Sequence, residues 1–197
     1  MPNKINLVFY GPEGSGKSTQ ADLIAKKYQL PHLSSGDLVR KYAKEDQGII
    51  GNVCRETLTE GKYIPDSEMY VMWKQRLKED DAQGGWILDG FPRNLTQAEF
   101  LNRKVEKYGQ ELNMVFFVEV SKEESIRRLI KRGRKSPDGS LHDSPERITE
   151  RLKHYNQAKK EVLEYYQNRG ILKTIDGERS IEEIHQEIDS LVNNIEV

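Results

Sequence analysis

The sequence has only one cysteine, Cys54, and this scarcity excludes two kinds of stabilising site. A single thiol cannot form a disulfide within the chain, and it cannot supply the several thiolates of a cysteine-rich zinc site. A lone cysteine in a helical pattern usually serves packing. We therefore expect a reducing, cytoplasmic setting.

The sequence also lacks an excess of charge and any long apolar run. Lys and Arg number 31 and Asp and Glu number 32, so the net charge is −1. Proteins that bind nucleic acid in general are usually clearly basic, which argues against that partner. No apolar run has the length that spans a bilayer, and the N-terminus shows no pattern of a secretory signal. We expect no partnership with nucleic acid or membrane.

Short apolar segments alternate with helical patterns along the chain. A length of 197 residues allows one sizeable core, which favours one domain with small insertions. The predicted strands are Ile5–Tyr10, Pro31–Ser34, Trp86–Leu88, Met114–Val120 and Ile171–Ile175. Strands that alternate with helices form parallel sheets covered on both faces. The sequence thus predicts a three-layer α/β fold with a five-stranded parallel sheet, interrupted by a purely helical stretch at 35–64 and a loop at 133–144.

Residues 11–19 have the sequence Gly-Pro-Glu-Gly-Ser-Gly-Lys-Ser-Thr and join the first strand to a helical pattern. In this context the G-x-x-x-x-G-K-[ST] match predicts a phosphate-binding loop. The glycines let backbone N–H groups wrap a phosphate, and the helix start adds free amides and a positive dipole end. Lys17 can reach the outer phosphates, and the Ser18 hydroxyl can join a Mg²⁺ shell. The alternative is a glycine-rich turn that binds nothing.

Asp89 ends an apolar strand and is followed by Gly90-Phe91-Pro92-Arg93. Alone, an aspartate in this position is most simply a turn residue. Beside a phosphate-binding loop, it corresponds to the carboxylate that holds the water shell of Mg²⁺. The pattern from Thr96 to Glu99 predicts a capping box at the start of the following helix.

Arginines recur four residues apart on two helices that flank the 133–144 loop. Arg128 and Arg132 share one helix face, and Arg147 and Arg151 share another. The planar, permanently charged guanidinium suits phosphate chains that repel each other. The alternative is that these are solvated helix faces, in which the neighbouring acids at positions 146 and 150 pair locally with the arginines.

Six motifs resemble those of the nucleoside monophosphate kinase family, and within it most closely the adenylate kinases. They occur in order over nearly the whole chain, at residues 11–18, 33–40, 61–66, 89–93, 128–133 and 147–152. The combination of Asp-Gly-Phe-Pro-Arg, Ser-Gly-Asp-x-x-Arg and a phosphate-binding loop is specific. The resemblance implies phosphoryl transfer from ATP to AMP, giving two ADP, with Mg²⁺ as the cofactor.

The resemblance also implies an architecture and an oligomeric state. It implies a P-loop NTPase fold whose core spans 1–34, 65–132 and 145–197, with a helical monophosphate-binding insertion at 35–64. It implies a lid at 133–144 of the short type, which excludes the longer zinc-binding lid, and a monomer that takes ATP, AMP and ADP as small-molecule partners.

Specific positions carry the implied roles. The ATP-binding positions are Gly14, Ser15, Gly16, Lys17, Ser18, Thr19, Arg128 and Arg132. The AMP-binding positions are Ser35, Gly36, Arg40, Ile64, Gly90, Arg93 and Gln97. The catalytic positions are Lys17, Arg93, Arg128, Arg132 and Arg151, and the metal positions are Ser18 and Asp89, acting through water.

The acceptor base is predicted from Gln97. Its amide can accept from the adenine N6–H and donate to a ring nitrogen, which favours AMP. The hydroxyl of Ser35 also resembles the adenylate pattern. Asn94, directly after Arg93, is instead associated with the pyrimidine branch, so a UMP/CMP kinase is the alternative within the enzyme class.

Three departures from the family pattern stand out. Glu13 brings a carboxylate to the phosphate loop, and we expect its side chain to point to solvent. Ser18 stands where many relatives have glycine. Ser140 replaces the lid arginine and His142 replaces an aspartate, so we expect Arg134 or Lys135 to supply the missing charge. The altered lid motivates a non-catalytic adenine-nucleotide-binding protein as one alternative, and a P-loop ATPase acting on RNA or a protein is another.

Overall fold

The structure, a computed structural model, describes residues 4–135, 139 and 141–195. The strands are β1 (Ile5–Tyr10), β2 (His32–Ser34), β3 (Gly85–Asp89), β4 (Met114–Glu119) and β5 (Leu172–Asp176). The helices are α1 (Lys17–Tyr28), α2 (Ser35–Glu45), α3 (Ile49–Glu60), α4 (Asp66–Arg76), α5 (Leu95–Lys107), α6 (Lys122–Arg132), α7 (Pro145–Asn168) and α8 (Ile181–Asn193), and a 3-10 helix spans Asp80–Gly84.

Within the described residues, the strands form one five-stranded parallel sheet in the order β2-β3-β1-β4-β5. Side chains alternate between the two faces of a strand. Accordingly, Val8 and Tyr10 pack into a cluster with Trp73 and Trp86 on one face, whereas Leu7 and Phe9 pack into a second cluster on the other face. Helices cover both faces, so the predicted three-layer α/β fold is confirmed.

The strand order places β1 at the centre of the sheet, between β3 and β4. Phe9 of β1 is in register with Asp89, the last residue of β3. Ligands of open α/β sheets bind outside the carboxyl ends of the strands, at the point where the order reverses. The residues that follow β1 and β3 are therefore brought together at this edge.

Two of the helix starts show how far local patterns determine the boundaries. At α8, the Ser180 hydroxyl accepts from the Glu183 amide and the Glu183 carboxylate accepts in return, so both bonds of a capping box are present. The capping box predicted at Thr96 is wrong, because α5 begins earlier. Its cap is Asn94, whose Oδ1 accepts from the Gln97 N–H at 2.8 Å. Asparagine caps at least as well as threonine, so the earlier start is favoured.

The two predicted insertions differ in what the structure describes. Stretch 35–64 contains α2, α3 and the segment that leads to α4. In stretch 133–144, Lys135 and Leu141 form an isolated antiparallel bridge. Ser140, where the family pattern has arginine, lies outside the described residues, as do 136–138.

None of the helices in the described parts of the chain combines the length and the apolar character needed to cross a bilayer.

Candidate active site

The phosphate-binding loop connects β1 to α1. Gly14 and Gly16 have φ values of 86° and 89°, in the left-handed region where glycine is favoured. A Cβ added to Gly14 would lie 2.7 Å from the Ser125 carbonyl oxygen, so no other residue fits there. Gly16 precedes α1 and has no side chain to cap it, while Ser18 and Thr19 are exposed. The start of α1 is thus open to an anion.

Lys17 is the first residue of α1, and its Nζ donates to the Pro12 carbonyl oxygen at 3.0 Å. Burial lowers the pKa of Lys17, while the carboxylates of Asp89 and Glu13 act in the opposite direction. The ammonium therefore folds back over the loop, within the field of two carboxylates.

Asp89 and Ser18 provide oxygen atoms of the kind that Mg²⁺ prefers. The Ser18 hydroxyl donates to Asp89 Oδ2 at 2.5 Å, and Asp89 is buried, with 4% of its surface exposed. Its other oxygen, Oδ1, is buried without a hydrogen-bond partner. An orphaned carboxylate oxygen beside a hydroxyl, at the mouth of a phosphate loop, fits a hydrated Mg²⁺ that takes most of its ligands from phosphates and water. The described residues contain no group of three or more His, Cys, Asp or Glu that could hold a metal ion.

Glu13 does not point to solvent, and that expectation is wrong. Its Oε2 accepts from Arg151 Nη1 at 2.6 Å and lies 4.0 Å from Arg132 Nη2. Burial acts to raise the pKa of Glu13, but the positive charges of Arg151, Arg93, Lys17 and Arg134 outweigh it and lower that pKa. A carboxylate among so many cations gains more from them than from water. It occupies guanidinium donors that suit a phosphoryl group.

Asp143 holds two of the predicted arginines together from the opposite side. Arg132 donates to it through Nε at 2.8 Å and Nη2 at 3.0 Å, and Arg151 Nη2 donates at 3.0 Å. Although burial acts to raise the pKa of Asp143, these hydrogen bonds lower it well below its usual range. Arg151 is buried, with 4% exposed, and local pairing with the acids at positions 146 and 150 is not what the structure shows for it.

Two more residues of the 133–144 segment lie at this cluster. The Arg134 backbone N–H donates to Asp143 Oδ2 at 3.2 Å. Burial lowers the pKa of the Arg134 guanidinium, as do the neighbouring charges of Arg132 and Arg151. Burial also lowers the pKa of His142 to about 4, so this imidazole is neutral near pH 7. Lys135 is exposed.

Arg128, one of the predicted ATP-binding residues, is bonded to the backbone of the phosphate-binding loop and to Gly177. Its Nη1 donates to the Ser15 carbonyl oxygen at 3.2 Å and its Nη2 to the Gly177 carbonyl oxygen at 3.0 Å. Its Nε donates to Glu124 Oε1 at 2.5 Å. In this arrangement Arg128 braces the backbone of the phosphate loop.

The predicted acceptor residues surround the end of β3. Gly90 has a φ of 79°, and a Cβ there would lie 3.3 Å from the Ser35 Cβ, so the two residues touch. The Ser35 hydroxyl is buried without a hydrogen-bond partner, which leaves it available to a ligand. Arg93 donates from Nε to the Gly90 carbonyl oxygen at 2.9 Å, and its guanidinium lies 3.8 Å from the centre of the Tyr63 ring.

The other predicted acceptor residues vary in exposure. Ile64 is buried. Arg40 is exposed and pairs with Asp37 at 2.6 Å. Its guanidinium also lies close to Gly36, 3.2 Å from the position that a Cβ on this glycine would take. Gln97 is buried and bonded on both sides of its amide, to the Arg93 backbone and to Asp66.

Contacts between distant segments bring the two halves of the site together. The Tyr63 hydroxyl lies 3.3 Å from Glu13 Oε1. Arg147, from α7, donates to the Thr59 carbonyl oxygen of α3 at 3.2 Å and to the Leu141 carbonyl oxygen at 3.5 Å. The insertion, the phosphate loop and the start of α7 thus meet around Glu13.

Sequence reasoning missed three residues of this arrangement. Tyr63 and Asp66 belong to the quoted 61–66 motif, in which only Ile64 was selected. Asp143 lies in the segment whose pattern departs from the family. The signal that could have found Asp143 is its place in the sequence, as a carboxylate between two arginine pairs.

A family model described as adenylate kinase matches residues 9–171 of this chain. The adenylate kinase of Trichodesmium erythraeum is 38% identical over 196 residues, which cover 97% of this chain and 99% of that protein. Adenylate kinase 1 of a Nostoc species is 37% identical over 188 residues, covering 95% of this chain and 98% of that protein. An adenylate kinase of Staphylococcus epidermidis is 32% identical over 216 residues, covering 97% of this chain and all of that protein.

Proposed function

Because the chain belongs to the adenylate kinase family and is a nucleoside monophosphate kinase, we propose that it transfers a phosphoryl group from ATP to AMP, and that the transfer takes place where cationic side chains surround Glu13. One observation carries this assignment of place. Four cationic side chains, of Arg151, Arg93, Lys17 and Arg134, lower the pKa of the Glu13 carboxylate, and Arg132 lies 4.0 Å from it. Cations from the donor side and the acceptor side thus converge on one anion.

The chemistry needs positioning more than proton transfer. The nucleophile is an oxygen of the AMP phosphate, which is already anionic near pH 7, so no general base is required. Holding the two phosphates in line supplies proximity, and the surrounding cations stabilise charge on the transferring group. When the nucleotides bind, their phosphates replace Glu13 at the Arg151 guanidinium.

Ser18 and Asp89 are the residues that would hold Mg²⁺, through the Ser18 hydroxyl and the unpartnered Asp89 Oδ1. When bound, the ion offsets negative charge on the ATP phosphates and helps to orient them. The start of α1 and Lys17 would bind the same phosphates from the loop side.

AMP is the proposed acceptor, and Asn94 no longer argues for a pyrimidine. Its Oδ1 caps α5 and its Nδ2 donates to Asp66 at 3.0 Å. Both groups of its amide therefore have a structural use that is independent of the acceptor base. This removes the one residue that favoured a UMP/CMP kinase.

The division into a core, an insertion at 35–64 and a lid at 133–144 is part of the proposal. We propose that the two insertions close over the nucleotides and exclude water, which otherwise competes with AMP as acceptor. We also propose that the protein is a cytoplasmic monomer.

Arg134 is proposed to supply the charge that the family pattern places in the lid. Its guanidinium lowers the pKa of Glu13, whereas Lys135 on the same segment is exposed. We expect Arg134→Ala to lower kcat for ADP formation by on the order of 10-fold to 100-fold, since one preorganised cation is lost.

Lys135→Ala provides the matched control, because it removes the same unit of charge one residue further along. Its kcat should stay close to wild type, and the double variant should match Arg134→Ala. Steady-state kinetics on the four proteins decide the point. Full activity in the double variant would rule out both residues.

Two alternatives from other classes give different results in the same assay. A nucleotide-binding protein without catalysis would bind ATP and AMP tightly and form no ADP. An ATPase acting on RNA would hydrolyse ATP without AMP and would be stimulated by RNA.

A further inference from the structure

Asp66 is not among the predicted site residues, yet four side chains converge on its carboxylate. Gln97 Nε2 donates to Oδ1 at 2.6 Å, and Asn94 Nδ2 donates to Oδ2 at 3.0 Å. The hydroxyls of Thr96 and Tyr70 lie 3.3 Å and 3.5 Å from Oδ2. Asp66 is half-buried at the first position of α4, and three of these four residues lie at the start of α5. The carboxylate therefore ties the two helix starts together and is itself held in place.

The Gln97 amide lies between two partners of opposite kind. Its Oε1 accepts from the Arg93 backbone N–H at 2.7 Å, while its Nε2 donates to Asp66. A backbone N–H can only donate, and an ionised carboxylate can only accept. Turning the amide over would set donor against donor and acceptor against acceptor. Gln97 is buried, with 4% exposed, so water cannot relieve that mismatch. The amide consequently has a single orientation.

The NH₂ group and the oxygen of the amide each keep one unused hydrogen-bonding position. A primary amide nitrogen has two N–H donors and an amide oxygen has two lone pairs, and Asp66 and the Arg93 backbone use one of each. Adenine presents a donor at N6 and an acceptor at N1. Hypoxanthine presents the reverse, an acceptor at O6 and a donor at N1. An amide locked in one orientation can be matched to only one of these two patterns.

We infer that Asp66 is a positioning residue that sets the acceptor specificity of the site for adenine over hypoxanthine by fixing the orientation of the Gln97 amide. This inference rests on the proposed function, because it requires the acceptor base to lie against Gln97. It assigns the choice between AMP and IMP to a carboxylate that need not touch either one.

The variant Asp66→Asn tests this role. An asparagine at this position keeps its oxygen towards the donors of Asn94 and Thr96 and turns its NH₂ group to Gln97. Each orientation of the Gln97 amide then has one mismatched partner, either this NH₂ group or the Arg93 backbone N–H, so neither orientation is strongly favoured. We expect the ratio of kcat/KM for AMP to kcat/KM for IMP to fall about tenfold or more, the discrimination that one bidentate pair provides. KM for ATP should remain unchanged. Equilibrium dissociation constants for AMP and IMP, measured by titration calorimetry, should shift in the same ratio without reference to catalysis.

Glu68→Gln is the matched control. It removes the same charge from the first turn of the same helix, where Glu68 is bonded to Ser67 and not to Gln97. Its AMP to IMP ratio should equal that of the wild type. A loss of ratio in both variants would indicate a general effect on α4 and would overturn the inference.

The remaining outcomes separate this inference from the proposed function. A folded Asp66→Asn protein with the wild-type ratio overturns the role of Asp66 and leaves the proposed function standing. If Asp66→Asn does not fold, Asp66→Glu keeps the charge and displaces the carboxylate by one methylene. Its ratio should also fall, and an unchanged ratio overturns the inference. A wild-type protein that forms no ADP from ATP and AMP contradicts the proposed function itself, and the inference with it.

Discussion

Replacing Lys17 with methionine is expected to lower kcat for ADP formation by on the order of 10³-fold, with little change in the melting temperature. The variant keeps an unbranched side chain of similar length but removes the ammonium that folds back over the phosphate loop. The rate falls because a fixed cation beside the transferring group stabilises the negative charge on it, whereas water would first have to reorganise around that charge. Stability is preserved because the Lys17 ammonium donates to one loop carbonyl and gains little else from the folded chain. Burial lowers its pKa, which means that folding does not favour its charged form.

Lys26→Met is the control for this variant. Lys26 lies on the same helix, is exposed, and pairs locally with Asp22. Exposed pairs of this kind contribute little to stability, so both kcat and the melting temperature should match the wild type. A Lys17→Met protein with near-normal turnover would show that the phosphate loop is not where ATP reacts.

The second large effect is expected for Arg93→Ala, which should lower kcat/KM for AMP by on the order of 10²-fold to 10³-fold while KM for ATP changes little. Arg93 lies on the acceptor side, with its guanidinium over the Tyr63 ring and its Nε on the Gly90 carbonyl oxygen. These contacts hold the fork in one orientation before any ligand arrives. A preorganised, bidentate donor lost at a phosphate is not replaced by water at equal strength.

Arg103→Ala is the matched control for Arg93, since Arg103 lies on α5 at the surface, with Glu99 4.0 Å away. It should behave as the wild type towards both nucleotides. If Arg93→Ala raised KM for ATP and left AMP unaffected, the assignment of donor and acceptor sides would be reversed.

The parts of the site that could be predicted are those whose geometry is local in sequence. The phosphate loop is one such part, because the glycine spacing, the lysine and the start of α1 all fall within residues 11–19. Asp89 is another, because a carboxylate at the end of a buried strand of a parallel sheet must lie at the ligand-binding edge. The five strands and their parallel pairing likewise followed from the alternation of apolar segments with helices.

Glu13 could not be predicted because its partner is remote. Arg151, which donates to it, is 138 residues away in sequence. From the loop alone, a carboxylate next to a phosphate cradle is repelled by the expected ligand, so solvent was the simplest place for it. Only the folded chain reveals that Arg132 and Arg151 are brought to the same point and that Asp143 braces them from the other side.

Asn94 illustrates a different limit. The sequence alone suggests that its side chain reflects the acceptor base and that Thr96 caps the helix. The structure gives the cap to Asn94. Both residues are good caps, and the choice depends on how the chain leaves β3 through Gly90, which periodicity does not encode.

Phosphoryl transfer from ATP to AMP by this site can be measured in a coupled assay of ADP formation with a panel of nucleoside monophosphates. Purified full-length protein would be given ATP and Mg²⁺ with AMP, CMP, UMP or no acceptor. For the proposed reaction we expect two ADP for each ATP consumed with AMP, much slower reaction with CMP and UMP, and almost no hydrolysis without an acceptor. ATP consumption that is equal with and without AMP, or faster reaction with CMP or UMP than with AMP, would contradict it.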